Sequence, residues 1–224
     1  MPELPDPHQF VITRKRKKYK FAKFALAENC FEAAEWVKRS IDVIEIGAGN
    51  GLFSLELAKR YPDKTFAAID VKADRLQHGA YAALTQGITN VWFIRARADQ
   101  IDTLFPAHSA EAVWVTFADP YPKKRSAGRR ITHQTYLKKY AALLVAHDKP
   151  TTRNLPVAAL YIKHDNLDFF SWTLEQLVAD KWVIDELSFD LHGSALSDDY
   201  KIYTTYEQKW LTENRTIYFA RARQ

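Results

Sequence analysis

Ile41-Asp42-Val43-Ile44-Glu45-Ile46-Gly47-Ala48-Gly49-Asn50-Gly51 is the stretch that decides the fold. Ile41 to Ile46 is a β-branched-rich stretch of strand length and reads as a buried β-strand. Three glycines then let the backbone turn sharply and leave no Cβ to obstruct a ligand. Leu52, Phe53, Leu55, Leu57 and Ala58 carry the helical spacing that follows, and Pro62-Asp63 closes the helix. Working outward, Phe66–Val71 predicts a second strand and Ala73–Gln86 a second helix ending at Gly87. Further strands are expected at Val91–Ile94, Ala112–Phe117 and Val157–Ile162, with helices over Thr132–Ala146 and Asn166–Asp180. Two late β-rich stretches, Trp182–Leu191 and Thr216–Ala220, fit a hairpin at one edge. Strands alternating with helices predict an α/β fold with a doubly wound, mostly parallel sheet covered on both faces.

The remaining features bound the function. At 224 residues the chain has room for one large domain or one domain with attachments. The expected division is a basic N-terminal arm and leading helix over residues 1–40, followed by the main domain over 41–224. Residues 1–13 hold three prolines and read as a flexible arm. His147 to Pro156 reads as a surface loop. Hydrophobic residues make up 47% and charged residues 26%, which excludes wholesale disorder. Lys and Arg number 32 against 27 Asp and Glu, so a net charge of +5 permits a polyanionic partner. A single cysteine, Cys30, excludes a disulfide framework and a multi-cysteine zinc site. No histidine has a partner at metal-ligand spacing, so no metal is expected. The early residues carry no apolar signal-peptide core, and no run approaches the roughly 18 apolar residues of a membrane span. The expected compartment is the cytoplasm, with no membrane partner.

The glycine loop suits a nucleoside ligand, because such ligands bind beyond the first strand of doubly wound sheets. Asp70 ends the second strand, about 20 residues beyond the loop, where a carboxylate accepts from ribose hydroxyls. Dinucleotides and S-adenosylmethionine share this arrangement. The dinucleotide fingerprint needs a third glycine where this chain has Leu52, which tips the reading towards S-adenosylmethionine. Glu45 fits that choice, since a carboxylate beside the loop holds a cationic amine. A P-loop is excluded by the lack of Gly-Lys-[Ser/Thr].

Phe117-Ala118-Asp119-Pro120-Tyr121-Pro122-Lys123-Lys124-Arg125 begins where the fourth strand ends. Two prolines stiffen the turn. An acid, an aromatic ring and three cations follow, with Arg129 and Arg130 close behind. Cations interleaved with an aromatic suit a nucleic acid. The segment Arg14-Lys15-Arg16-Lys17-Lys18-Tyr19-Lys20 is a second basic run. It reads as a solvated tail or as a phosphate-contacting arm.

Together these motifs make the chain resemble the bacterial tRNA (guanine-N7)-methyltransferases. The family's Glu-Ile-Gly-x-Gly-Asn-Gly appears as Glu45 to Gly51, and its Asp-Pro-Trp-Pro-Lys-Lys-Arg as Asp119 to Arg125. Its Lys-Thr-Asp-Asn is similar to Lys163-His164-Asp165-Asn166, its Asp-Leu-His to Asp190-Leu191-His192, and its Thr-Glu-Tyr-Glu to Thr204-Thr205-Tyr206-Glu207. The resemblance implies a class I methyltransferase fold, a Rossmann-like seven-stranded sheet with an antiparallel last strand. It implies S-adenosylmethionine against Glu45, Gly47, Gly49, Asp70, Arg97, Ala98 and Asp119, with Asp119 also catalytic. It implies a tRNA guanine, in the variable loop at tRNA position 46, against Lys123, Asp165 and the segment Thr204, Thr205, Tyr206 and Glu207. The expected tRNA-backbone contacts are Arg14, Lys15, Arg16, Lys17, Lys18, Lys124, Arg125, Arg129 and Arg130.

The departures are Tyr121 for tryptophan, Ser126 for histidine, Gly128 for lysine, His164 for threonine, and Arg97 where the family carries an adenine-binding aspartate. Arginine accepts no hydrogen bond, so backbone around Arg97 and Ala98 is expected to take the adenine amino group. His164 reads as a packed histidine before a catalytic one. The competing readings are a methyltransferase for another substrate, an inactive or partner-dependent RNA-binding protein on the same fold, and a nicotinamide dehydrogenase.

Overall fold

The computed structural model describes residues 15–145 and 158–224. The arm expected over 1–13, Arg14 and the loop expected over 147–156 lie outside the described residues. Among the described residues one sheet has eight strands: β1 (Cys30–Glu32), β2 (Val43–Ile46), β3 (Phe66–Asp70), β4 (Val91–Arg95), β5 (Ala112–Thr116), β6 (Ala159–His164), β7 (Val183–Ser188) and β8 (Tyr218–Arg223). Their order across the sheet is β1-β4-β3-β2-β5-β6-β8-β7, and β8 runs against the direction of all the others. The seven expected strands are therefore present, with β1 added beyond β4. The late pair is adjacent and antiparallel, but it is no tight hairpin. β8 inserts between β6 and β7, and residues 189–217 make the connection.

Helices α1 (Lys15–Leu26), α2 (Leu52–Arg60) and α3 (Ala73–Thr85) join one apolar layer, and α4 (Ile101–Leu104), α5 (Gln134–Leu143) and α6 (Leu167–Ala179) the other. α7 (Thr205–Thr212) precedes the last strand. The period-two alternation of a strand assigns the layers. Ile44, Ile46, Val113 and Val115 face α5 and α6, whereas Val43, Ala112 and Trp114 face α2 and α3. By the same alternation Glu45, Thr116 and Lys163 point to the α2 side, and His164 points to the α6 side.

The expected division at residue 40 meets a definite packing pattern. Phe24 of α1 is 2% exposed and joins the α2–α3 layer, α1 lies against α3, and β1 pairs in parallel with β4. Burying a phenylalanine in this way stabilises by about 1.5–3 kcal/mol. Among the described residues no helix is long and apolar enough to cross a membrane.

Candidate active site

The carboxyl ends of β2, β3, β5 and β6 open onto a cleft of about 500 Å³. This is the end of the sheet at which open α/β folds bind ligands, and the volume suits a nucleoside-sized molecule.

One wall is made of backbone. Gly47, Gly49 and Gly51 have φ of 77°, 60° and 69°, in the left-handed region that a side chain disfavours. Gly47 and Ala48 both donate their N–H to the Ile69 carbonyl, at 2.8 and 2.9 Å. The Asp70 carboxylate accepts from the Gly49 N–H at 2.9 Å and from the Lys72 N–H at 2.8 Å. Burial raises its pKa, and the two amides pull it back. Asp70 thus shapes the loop while still lining the cleft. Behind the loop, Gly79 of α3 donates its N–H to the Asn50 carbonyl at 2.9 Å, and a Cβ there would lie 2.5 Å from that oxygen. Sequence reasoning missed Gly79; the available signal was a glycine inside an otherwise regular helical pattern.

Glu45 sits deeper, only 1% exposed, and one oxygen accepts from Ser54 Oγ and the other from Thr116 Oγ1, each at 2.6 Å. Burial pushes its pKa up to about 7, against the opposing pull of those hydroxyl donors. Ser54 and Thr116 carried no motif, and only the strand register brings Thr116 to Glu45. Ala96 and Ala98 line the cleft beside β4. The Arg97 side chain is 70% exposed and holds both oxygens of Asp99, at 3.0 and 2.8 Å. Neither Arg97 nor Asp99 is in the lining of the cleft.

The facing wall is held by side chains. Phe117 has φ 50° and Tyr121 φ 38°, an uncommon conformation for bulky residues that their surroundings have to hold. Phe117 donates its N–H to the Lys163 carbonyl at 2.9 Å. Asp119 follows it, exposed on the cleft. Arg130 departs from its expected place on an RNA backbone. It is 9% exposed, its guanidinium donates to the Pro120 and Tyr121 carbonyls at 2.9 and 3.2 Å, and it stacks 4.3 Å from the Trp172 ring centre. Arg130 is a brace for the Asp119 turn. Arg129 covers the Tyr121 ring at 4.6 Å, and Lys123, Lys124 and Arg125 are exposed beside the cleft and not in its lining.

Asp165 lines the cleft and pairs with Arg215 at 3.0 Å. His164 is 2% exposed, with ring contacts to Phe117 and Phe169. Thr204 and Glu207 form a reciprocal cap on α7: Glu207 donates its N–H to Thr204 Oγ1 at 3.1 Å, and Thr204 its N–H to Glu207 Oε2 at 3.0 Å. Glu207 corrects the expectation of a guanine contact. It is fully buried, one oxygen accepting from Lys163 Nζ at 2.8 Å and the other from His192 Nε2 at 2.7 Å. Lys163 also donates to the Ile202 carbonyl at 2.9 Å, and burial lowers its pKa while Glu207 opposes the shift. The Thr-x-x-Glu spacing announced the cap; the buried lysine had no sequence signal. Thr205 and Tyr206 start α7 and Lys15 to Lys17 start α1, and their side chains lie outside the described residues. Lys18 is half-buried.

Residues 39–220 match the model of a family described as "Putative methyltransferase". A tRNA (guanine-N(7)-)-methyltransferase of Brevibacillus brevis is 33% identical over 175 residues, 78% of this chain and 77% of the relative. One of Mesomycoplasma hyopneumoniae is also 33% identical, over 80% of this chain and 84% of the relative. Among solved structures the 16S rRNA methyltransferase KamB superposes with a TM-score of 0.57 at 13% identity, covering 84% of this chain and 88% of that one. That likeness is one of fold.

Proposed function

The chain belongs to the tRNA (guanine-N7)-methyltransferase family, and on that premise we propose that it transfers a methyl group from S-adenosylmethionine to N7 of a tRNA guanine. The reading extends to a guanine of the variable loop and to action in the cytoplasm, where tRNA is found.

The cleft fits S-adenosylmethionine. Its glycine wall admits a ligand against the backbone. Glu45 would hold the methionine ammonium, Asp70 the ribose hydroxyls, and the backbone beside Ala96 and Ala98 the adenine. When bound, S-adenosylmethionine supplies a methyl group on a sulfonium, which needs little further activation.

Guanine N7 offers an in-plane lone pair and carries no proton, so the protein needs no general base. Its task is alignment and charge stabilisation. Asp119 stands at the mouth of the cleft, where its carboxylate would orient the base and face the cation that forms on it. Asp165 and Arg215 form an ion pair on the same side. Lys124, Arg125 and Arg129 are exposed near that mouth and suit RNA phosphates. A guanine engaged in tRNA tertiary structure has to be opened to reach the cleft.

The observation that carries this reading is the meeting, in one cleft, of the Glu45–Asp70 wall and the Asp119–Asp165 wall in a member of this family. Labelled methyl transfer to unmodified tRNA, with chemical cleavage at 7-methylguanosine, tests it. Asp119→Ala is expected to lower turnover by about 10²–10³-fold, the scale of a lost electrostatic contact to the reacting group, with less effect on tRNA affinity. Turnover at the wild-type rate would remove Asp119 from the reaction. Binding of both ligands without transfer would favour the partner-dependent reading.

A further inference from the structure

His164 lies at the inner end of the cleft, and its two ring nitrogens are both spoken for. Nε2 is 2.8 Å from the Ala118 carbonyl, which can only accept. Nδ1 is 2.8 Å from the Asn166 N–H, which can only donate. One protonation state satisfies both contacts: the neutral ring with its proton on Nε2. Ala118 is the residue before Asp119. Asn166 caps α6, its side chain accepting from the Phe169 N–H at 2.8 Å. The imidazole therefore ties the turn that carries Asp119 to the start of α6. A second tie runs from the Phe117 N–H to the Lys163 carbonyl, and Arg130 holds the Pro120 and Tyr121 carbonyls on the far side of Asp119.

We propose that His164 is a positioning residue: as a neutral Nε2–H donor it clamps the Ala118 carbonyl and thereby fixes Asp119 for methyl transfer. The inference rests on the reaction proposed above for its functional half. It does not come from the family pattern, because the corresponding family position is a threonine.

Protonation would undo the clamp. A second ring proton, on Nδ1, would confront the Asn166 N–H and turn towards Asp165 Oδ1, 3.5 Å away. Asp165 would then be drawn between His164 and its present partner Arg215. Burial lowers the pKa of His164, while the Ala118 contact and Asp165 oppose the shift. Other ionisable groups near the ring are Arg130, beyond the Phe169 ring at 5.9 Å, and Lys163, whose ammonium points to the opposite face of the sheet. The ring consequently stays neutral around pH 7, and turnover falls on the acid side as it becomes charged.

The test has two arms. Nitrogen-15 NMR of labelled histidine, with His164 assigned by difference against His164→Gln, reads the clamp without any reaction. The expected spectrum is the Nε2–H form throughout pH 6 to 8; an Nδ1–H form, or half-protonation at the ordinary value near 6.5, overturns the proposal. The second arm measures kcat, S-adenosylhomocysteine affinity and tRNA affinity against pH. His164→Ala is expected to lower kcat about 10–100-fold with both affinities within about twofold. His164→Gln, whose amide N–H reaches the Nε2 position, is expected to recover most of kcat and to lose the acid decline. A kcat for His164→Ala within twofold of wild type, or an unchanged acid decline in His164→Gln, overturns the proposal. If His164→Ala does not fold, the glutamine variant decides. If the wild type transfers no methyl group to tRNA, the reaction reading fails and the NMR arm still judges the clamp.

Discussion

The two walls of the cleft are built by opposite means. From Gly47 to Lys72 the shape is set by main chain: positive-φ glycines, and amides donated to the Asp70 carboxylate and the Ile69 carbonyl. From Phe117 to Tyr121 the shape is set by side chains from distant segments, namely Arg130, His164 and, behind them, the Lys163–Glu207–His192 cluster. At Gly51 the first wall has no room for an added Cβ. The second cannot tolerate a lost partner. A wall of backbone amides presents a fixed surface to a ligand of constant shape. A wall of braced turns holds an exposed acid at a place the local sequence would not hold by itself.

The largest expected effect sharpens the second half of this contrast. Lys163→Met removes the ammonium from beside the Glu207 carboxylate in a site with no exposure and should cost about 3–5 kcal/mol in urea unfolding. Replacing Glu207 by leucine as well should recover much of that loss. A single-variant cost below about 1 kcal/mol would break the comparison. Next in size is Gly51→Ala. Its φ of 69° penalises a side chain, and the new Cβ would lie 2.4 Å from the Phe93 ring. The expected destabilisation is about 2–3 kcal/mol, read in the same way.

Glu45 supplies a smaller, pH-dependent effect. Its folded-state pKa is raised from 4.5 to about 7, so the native protein holds the proton more tightly than the unfolded chain. The group's contribution to stability is therefore present below 4.5 and lost as pH rises through about 7. A ligand ammonium needs the ionised form. S-adenosylmethionine affinity should rise with pH by up to about tenfold per unit below that value and flatten above it. Calorimetry in buffers of different ionisation enthalpy reads the released proton, and Glu45→Gln should abolish the slope. The smallest effect lies outside both walls. Each charge removed between Lys15 and Lys18 that contacts a phosphate should lower the slope of log tRNA affinity against log salt by just under one. An unchanged slope would return this run to a solvated surface.

The same contrast explains what could be read in advance. The backbone wall was legible except for Gly79 behind it, because glycines, a buried run and an acid at the next strand's end act through local geometry and fixed spacing. The strands were legible for the same reason, apart from β1, whose three residues are too short to show a period, and apart from the insertion of β8 between β6 and β7, which no local pattern encodes. The facing wall was legible only as a motif. Arg130 looks like any cation of a basic run, yet Trp172 and the Pro120 carbonyl take it inward. Glu207 looks like a surface acid of a helix start, yet Lys163 meets it across a sequence gap that no local pattern encodes. Burial of charge is a property of the finished packing.

The strand order has a consequence for how the chain is made. Growing outward from β2, strands β3, β4, β5 and β6 each dock beside a strand already synthesised. β7 does not, because β8, its one neighbour among the described residues, is made after it and must slide into the gap beside β6. Until β8 is in place, β6 has no partner on that edge. If β7 seats there first, the last strand has no place to go. The half that carries the glycine loop can form as it emerges; the half that braces Asp119 has to wait for β8.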